Sequence, residues 1–367
     1  MSIPLVDLAA QHAEIAQEVS AGLAALFEAS DFIGGKAVEE FERDYCETLG
    51  VPHCIGVANG TDALELALRA ADVGPGDEVI VPANTFVATV GAVRRAGAKP
   101  VLADVDDECL LLDPDPVLAA ITPRTKAIVP VHLYGQVAPI EELSASAAAT
   151  GIAIIEDAAQ AQGATRHGRP AGSFGVAAGT SFYPGKNLGA YGDAGAVLTV
   201  DANLARRVRL MRDHGSERKY DHEIVGWNSR LDTLQAIVLQ AKLRRLARWN
   251  AARQVAAARY DSLLAEIPQV RVPVTMPGNV HVWHLYVVRV PERDRVLAAL
   301  QAAGIGASIH YPTPIHLTGA YRSLGYGPGS MPVAEAAAEE ILSLPLYPHI
   351  TAVQQERVVA ELKEALR

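Results

Sequence analysis

The sequence predicts an α/β protein: a large domain on a mostly parallel seven-stranded sheet, followed by a smaller C-terminal α+β domain. Three observations predict it. Between residues 52 and 200, short β-branched runs alternate with helical stretches, the order that sets parallel strands under covering helices. A mainly helical stretch from about 230 to 266 breaks that rhythm and opens a second region with a strand of its own. The chain has 367 residues and is 50% hydrophobic, enough for about two domains with sizeable cores. The division falls near residue 245, giving an N-terminal arm and large domain over 1–245 and a small domain over 246–367.

Residues 11–29 form an amphipathic helix ahead of the sheet. The strands expected in the sheet are CIGVA (54–58), EVIVP (78–82), PVLADV (100–105), KAIVPVH (126–132), IAIIED (152–157), GTSFY (179–183) and AVLTV (196–200). Helical segments at 61–71, 85–96 and 138–150 lie between several of them. In the second region HLYVVRV (284–290) reads as a strand, and helices at 292–303 and 333–342 flank a Pro- and Tyr-rich loop, HYPTPIHL (310–317). There are no repeats or low-complexity segments.

Composition narrows the function classes. No apolar run approaches the roughly 18 residues of a membrane span. The N-terminus MSIPLVDLAA lacks a basic segment and carries Asp7 where a signal peptide is apolar, so a cytoplasmic protein is expected. Cys46, Cys54 and Cys109 are odd in number and lack CxxC spacing, which argues against a disulfide framework or a zinc site and for small buried hydrophobes. The net charge of -10 disfavours nucleic acid and anionic membranes. The basic cluster Lys242, Arg244, Arg245 and Arg248 shares a helical segment with Leu239, Leu243 and Leu246 and reads as a solvated face.

The chemistry gathers in a few segments. SFYPGKNLGAYGDAGA (181–196) sets one lysine, Lys186, among four glycines. It is not a Walker A loop, because five residues separate Gly179 from Gly185 and Asn187 stands where Ser or Thr must follow the lysine. Nor is it a dinucleotide fingerprint: Gly189, Gly192 and Gly195 are wrongly spaced and lead into a strand. The phosphate candidate is Asn59-Gly60-Thr61-Asp62, where CIGVA turns into a helix. Unpaired N–H groups and the helix dipole meet an anion there, and Gly60 allows close approach. The dipole contributes only about 0.3–1 kcal/mol, so donors such as Thr61 and Ser181 are expected to help. Taken alone, the segment reads better as a plain cap through Thr61 or Asp62.

EDAAQAQGA (156–164) places Asp157 at the carboxyl end of a strand, where open parallel sheets border their ligand crevice. A carboxylate leaving an apolar strand needs a cation or several donors. Alone, Asp157 also reads as the cap of an Ala-rich helix. A phosphate cradle, an aromatic at Phe86, an acid at a strand end and an amine in a glycine-rich loop together fit one cofactor, pyridoxal phosphate. Its phosphate needs the helix N-terminus, its ring a flat apolar face, its pyridine nitrogen a carboxylate and its aldehyde an amine.

Six ordered motifs, NGTDAL (59–64), GDEVIVPANTFVAT (76–89), TKAIVPVHLYG (125–135), EDAAQAQGA, SFYPGKNLGAYGDAGA and NSRLDTLQA (228–236), give the chain a close resemblance to the DegT/DnrJ/EryC1/StrS sugar aminotransferases. These belong to fold type I of the pyridoxal-phosphate enzymes, and the resemblance covers nearly the whole chain. It implies that Lys186 holds the cofactor as a Schiff base and, once released, moves the substrate proton, and that Asp157 pairs with the pyridinium nitrogen. Phe86 would stack on the ring, and Gln160 would lie near its phenolic oxygen. Gly60, Thr61, Asp62 and Ser181 would surround the phosphate, with Asn228 reaching it from the neighbouring subunit of a homodimer with shared active sites. Lysine at 186, where some relatives carry histidine and act as dehydratases, favours transamination. Many relatives have His where this chain has Gln162.

The resemblance further implies a nucleotide-linked keto-sugar acceptor and L-glutamate as amino donor. A dTDP-3-keto-6-deoxyhexose is the first expectation; a 4-keto sugar or a UDP-linked 3-keto sugar is the second. HGSERKYDH (214–222) and IHYPTPIHL (309–317) resemble segments that face the nucleotide and the sugar, which points to Tyr183, Lys219, Tyr220, His310 and Tyr311 as substrate contacts. Plain alternatives are a surface role for Lys219 and a turn over a packed aromatic for HYP. A non-catalytic regulator that binds pyridoxal phosphate or a nucleotide sugar is a reading of another class, and a hydride-transfer enzyme is a third. The presence of both the lysine and the acid weighs against the regulator.

Overall fold

The computed structural model describes residues 2–218 and 220–367. The large region is built on β1 (His53–Val57), β2 (Glu78–Pro82), β3 (Lys99–Ala103), β4 (Thr125–Ile128) and β5 (Ala153–Asp157). A small hairpin of β6 (Thr165–Arg166) and β7 (Arg169–Pro170) follows, then β8 (Ala177–Ser181) and β9 (Gly195–Thr199). Seven of these form one sheet in the order β1-β9-β8-β5-β4-β2-β3. Only β9 opposes its neighbours, pairing antiparallel with both β1 and β8. Successive residues of one strand enter different cores: Val79 and Val81 pack on one face, Ile80 on the other. Both faces are therefore covered, which is why the strands read as continuous apolar runs rather than alternating ones.

Four helices precede or interleave with the first strands: α1 (Leu8–Ala29), α2 (Lys36–Leu49), α3 (Gly60–Ala70) and α4 (Val87–Arg95). Asp7 caps α1 by accepting the Ala10 N–H at 2.9 Å. A 32-residue helix, Thr233–Leu264, then runs without a break past residue 245. Beyond it, strands Tyr286–Arg289 and Ile341–Leu344 pair antiparallel, and helices Arg293–Ala302 and Ala352–Ala365 pack with them around a second core that includes Tyr260, Val288, Leu300 and Leu362.

Three local expectations change. The regular strand of the run KAIVPVH ends at Ile128, because Pro130 has no N–H to give a ladder; pairing with β5 resumes as a bridge between Val131 and Asp157, where His132 donates its N–H to the Asp157 carbonyl at 3.0 Å. The strand at GTSFY ends at Ser181, since Phe182 already opens the loop. The basic cluster is not one solvated face. Lys242 is buried with its amine 4.9 Å from the Tyr191 ring, and burial pushes its pKa down to about 8. Arg244 and Arg245 pair with Glu18, and Arg248 with Glu14, both on α1. Cys54 and Cys109 are buried and Cys46 half-buried, all as free thiols. Among the described residues no helix is long and apolar enough to cross a membrane.

Candidate active site

A cleft of about 630 Å³ opens at the carboxyl ends of the parallel strands. The start of α3, the ends of β5 and β8, the loop after β8 and residues His284, His310 and Tyr311 of the C-terminal region line it. Asn59 caps α3: its Oδ1 takes the Asp62 N–H at 2.8 Å. The expectation of Thr61 or Asp62 as the cap is thereby corrected. The first N–H groups of the helix, at Gly60 and Thr61, have no intrahelical acceptor and stand at the cleft. A Cβ on Gly60 would lie 2.5 Å from the Ser181 Cβ, so only glycine lets β8 close against the helix entrance and bring the serine hydroxyl there. Asp62 turns away from the cleft. Its Oδ1 meets Arg95 at 3.0 Å and its Oδ2 accepts the Ser229 hydroxyl at 2.8 Å, so it braces α3 rather than facing an anion.

Asp157 closes β5 and is 5% exposed. The Thr89 hydroxyl donates to its Oδ2 at 2.7 Å and the Ala159 N–H to its Oδ1 at 3.1 Å. Turns, not a helix, follow it, which removes the capping alternative. Burial raises its pKa, and Thr89, Ala159 and the Lys186 charge across the cleft pull the other way. The neighbouring Glu156 locks the strand end by accepting the N–H groups of Gly172, Phe174 and Gly175, each at 2.7 Å. His132 lies 2.8 Å from the same carboxylate through Nε2, while its Nδ1 accepts the Ala138 N–H at 3.2 Å. Nε2 therefore carries the proton and donates it to Glu156.

Lys186 rides on a loop held at several points. Its N–H donates to the Tyr183 carbonyl at 2.9 Å. A Cβ at Gly189 would meet the Pro184 oxygen at 2.3 Å, so the loop can fold back only through glycine. Asn187 donates to Asn250 Oδ1 at 2.9 Å and to the Val282 carbonyl at 2.8 Å, pinning the loop to the long helix. Burial pushes the Lys186 amine down to about 8, with Asp157 opposing the shift. Gln162 donates to the Ser181 carbonyl at 2.8 Å and the Thr180 hydroxyl at 3.1 Å, joining the Asp157 segment to the end of β8.

The remaining expected residues divide. Phe86, 48% exposed, presents its ring to the cleft 5.4 Å from that of Tyr311. Gln160 accepts the Tyr134 N–H at 2.7 Å and donates to the Tyr311 hydroxyl at 3.1 Å. Tyr183 lines the cleft, as does His310, whose Nδ1 is 2.8 Å from the Ser343 hydroxyl and whose pKa burial lowers to about 4. Tyr220, 83% exposed, and Asn228, bridged to Asp213, lie outside this chain's cleft lining. Lys219 falls outside the described residues.

Contributors that escaped sequence reasoning include Thr89, His284, Leu5 and Val6. Thr89 could have been found, since it lies three residues after Phe86 on a helical segment and so shares its face. Leu5, Val6 and His284 carry no local signal. His284 sits inside an apolar run, and only long-range packing brings the N-terminal segment to the cleft: Ile3 donates to the Gly304 carbonyl at 2.9 Å and Leu5 accepts the Leu346 N–H at 3.3 Å.

These residues fit pyridoxal phosphate. A glycine cradle at a helix N-terminus suits a phosphate, a buried carboxylate with a raised pKa suits a cationic ring nitrogen, and an amine near 8 suits an aldehyde.

Comparison with known proteins gives the family. The DegT/DnrJ/EryC1/StrS aminotransferase family matches residues 13–363. The dTDP-3-amino-3,4,6-trideoxy-alpha-D-glucose transaminase of Streptomyces venezuelae is 46% identical over 365 residues, covering 99% of this chain and 96% of its own. A protein of Geobacillus stearothermophilus named a pleiotropic regulatory protein is 46% identical over 369 residues, covering 100% and 99%. The crystal structure of S. venezuelae DesV in complex with a ketimine intermediate superposes with a TM-score of 0.97 at 45% identity, covering 100% of this chain and 99% of that one. The chain belongs to the DegT/DnrJ/EryC1/StrS aminotransferase family, and its cofactor is pyridoxal phosphate.

Proposed function

We propose that the protein transfers the amino group of L-glutamate to a nucleotide-linked keto-sugar, with a dTDP-3-keto-6-deoxyhexose as the acceptor, and works as a cytoplasmic homodimer with shared active sites. The observation that carries the chemistry is the presence of both Lys186 and Asp157 in one cleft whose entrance is a glycine-cut helix N-terminus. Support for the acceptor is the 46% identity to a transaminase named for a dTDP-3-amino sugar. Three free cysteines and the absence of any disulfide among them suit the reducing cytoplasm.

When bound, the cofactor supplies an electron-withdrawing ring that stabilises negative charge beside the transferred nitrogen. The chain does the rest. Gly60 and Thr61 N–H groups with the Ser181 hydroxyl would hold the phosphate, and the Phe86 ring would cover one face of the cofactor. Asp157, its oxygens fixed by Thr89 and Ala159, would keep the ring nitrogen protonated. Lys186 Nζ would hold the cofactor's aldehyde carbon and, as a free amine, would accept the donor's α-proton and deliver it to the carbon on the far side of the transferred nitrogen. An amine near 8 is unprotonated often enough at neutral pH to serve as that base. Tyr183, His310 and Tyr311, which line the cleft, would meet the sugar, and Tyr220, Lys219 and Asn228 would reach a site shared between subunits.

Purified protein should show a visible absorption band that borohydride reduces, with the reduced tag at residue 186, and glutamate should convert it to the pyridoxamine form. Regeneration of the band by a panel of dTDP- and UDP-linked 3-keto and 4-keto sugars then identifies the acceptor. A band that glutamate leaves unchanged overturns the reading in favour of a regulator, the role named for the Geobacillus relative.

A further inference from the structure

His284 is nine-tenths buried, at 8% exposure, and lines the cleft. Its Nδ1 is enclosed and has no hydrogen-bond partner. A buried N–H without an acceptor is rarer and costlier than a bare lone pair, so the proton belongs on Nε2, the other ring nitrogen. The surroundings keep the ring uncharged. Burial first, then the positive charges of Lys186 and Arg253, hold its pKa well below the ordinary histidine value. Arg253 adds positive field from within. It is buried, gives Nη1 to the carbonyls of Trp283 at 3.1 Å and Leu346 at 2.9 Å, and leaves Nε and Nη2 without partners.

A neutral donor in a positive field is made for an anionic oxygen. The donor substrate brings one of necessity: its carboxylate is bonded to the α-carbon that must come within reach of Lys186, and His284 is close enough to Lys186 to feel its charge. Lys186 is the one cation among the described residues that line the cleft, and it is engaged in the reaction itself. We infer that His284 is a substrate-binding residue that donates a hydrogen bond from Nε2 to the α-carboxylate of the amino donor. The inference rests on the aminotransferase reading above and assigns the donor's place within it.

Two variants of the holoenzyme test it, His284→Leu and His284→Gln, the latter keeping an N–H donor on a side chain of similar reach. The readouts are KM for glutamate in the first half-reaction, KM for the keto-sugar, and the Kd of glutarate, which has the carboxylates but no amine to react. Loss of one hydrogen bond to a charged group predicts that His284→Leu weakens glutamate and glutarate by about ten- to a hundredfold. The cofactor band and the sugar KM stay unchanged, and His284→Gln recovers most of the loss. Unchanged glutarate binding in His284→Leu overturns the assignment, as does a defect confined to the sugar KM or to cofactor retention. Failure of the aminotransferase reading would appear in the wild type, as no response to glutamate, whereas failure of this inference appears only in the variants.

Discussion

An amine attacks an aldehyde only when it is unprotonated, and the burial of Lys186 sets how often that is. With its pKa near 8 instead of the usual 10.5, about a tenth of the amine is free at pH 7 rather than well under a hundredth. Mixing apoprotein with pyridoxal phosphate should therefore show a rate that climbs about tenfold per pH unit below pH 8 and then levels. Stopped-flow absorbance checks it; a rate still climbing beyond pH 10 would mean an ordinary, solvated lysine. At this scale the sequence was legible where chemistry leaves few choices. An isolated lysine among glycines and an acid ending an apolar strand point to a site by type and spacing. Asp62 was not legible, because its direction depends on Arg95 and on Ser229, 167 positions away. His284 was silent for the same reason: a histidine in HVWHLYVV reads as core until the cleft is seen beside it.

Elements meet at the site through the contact between the entrance of α3 and the end of β8. Gly60→Ala should drive its Cβ into Ser181 and spread that junction, an overpacking cost of about 1–3 kcal/mol borne mainly by the cradle. The expected result is pyridoxal-phosphate affinity weaker by about five- to 150-fold with the folded state retained, read by cofactor titration beside thermal unfolding. Affinity at the wild-type level would show that the phosphate sits elsewhere. Element identity was readable from the β-branched runs and their helical spacers. Element ends were less so, because they are set by single events such as Pro130 ending a ladder or Phe182 leaving the sheet. The solvated reading of the basic helix face failed at Lys242 because Tyr191, far off in sequence, folds over it.

Across the whole molecule, the unbroken helix Thr233–Leu264 carries the chain from the large sheet to the C-terminal core. Asn228 lies outside its own chain's cleft, as a residue serving a partner's site would. Coexpressed Lys186→Ala and Asn228→Asp chains should then form hybrid dimers with one intact site and recover activity that neither variant has alone, measured on the mixed species after separation by size and tag. No recovery would mean self-contained sites. The sequence by itself determined the fold class and singled out Lys186 and Asp157 as the candidate anchor and acid, because periodicity, strand-end acids and glycine spacing are local constraints that survive without the fold. Only the tertiary structure decided which polar groups face the cleft, which brace it from behind, and how far burial moves the Lys186 amine, since direction, distance and solvent exclusion arise from residues that meet only when the chain is folded.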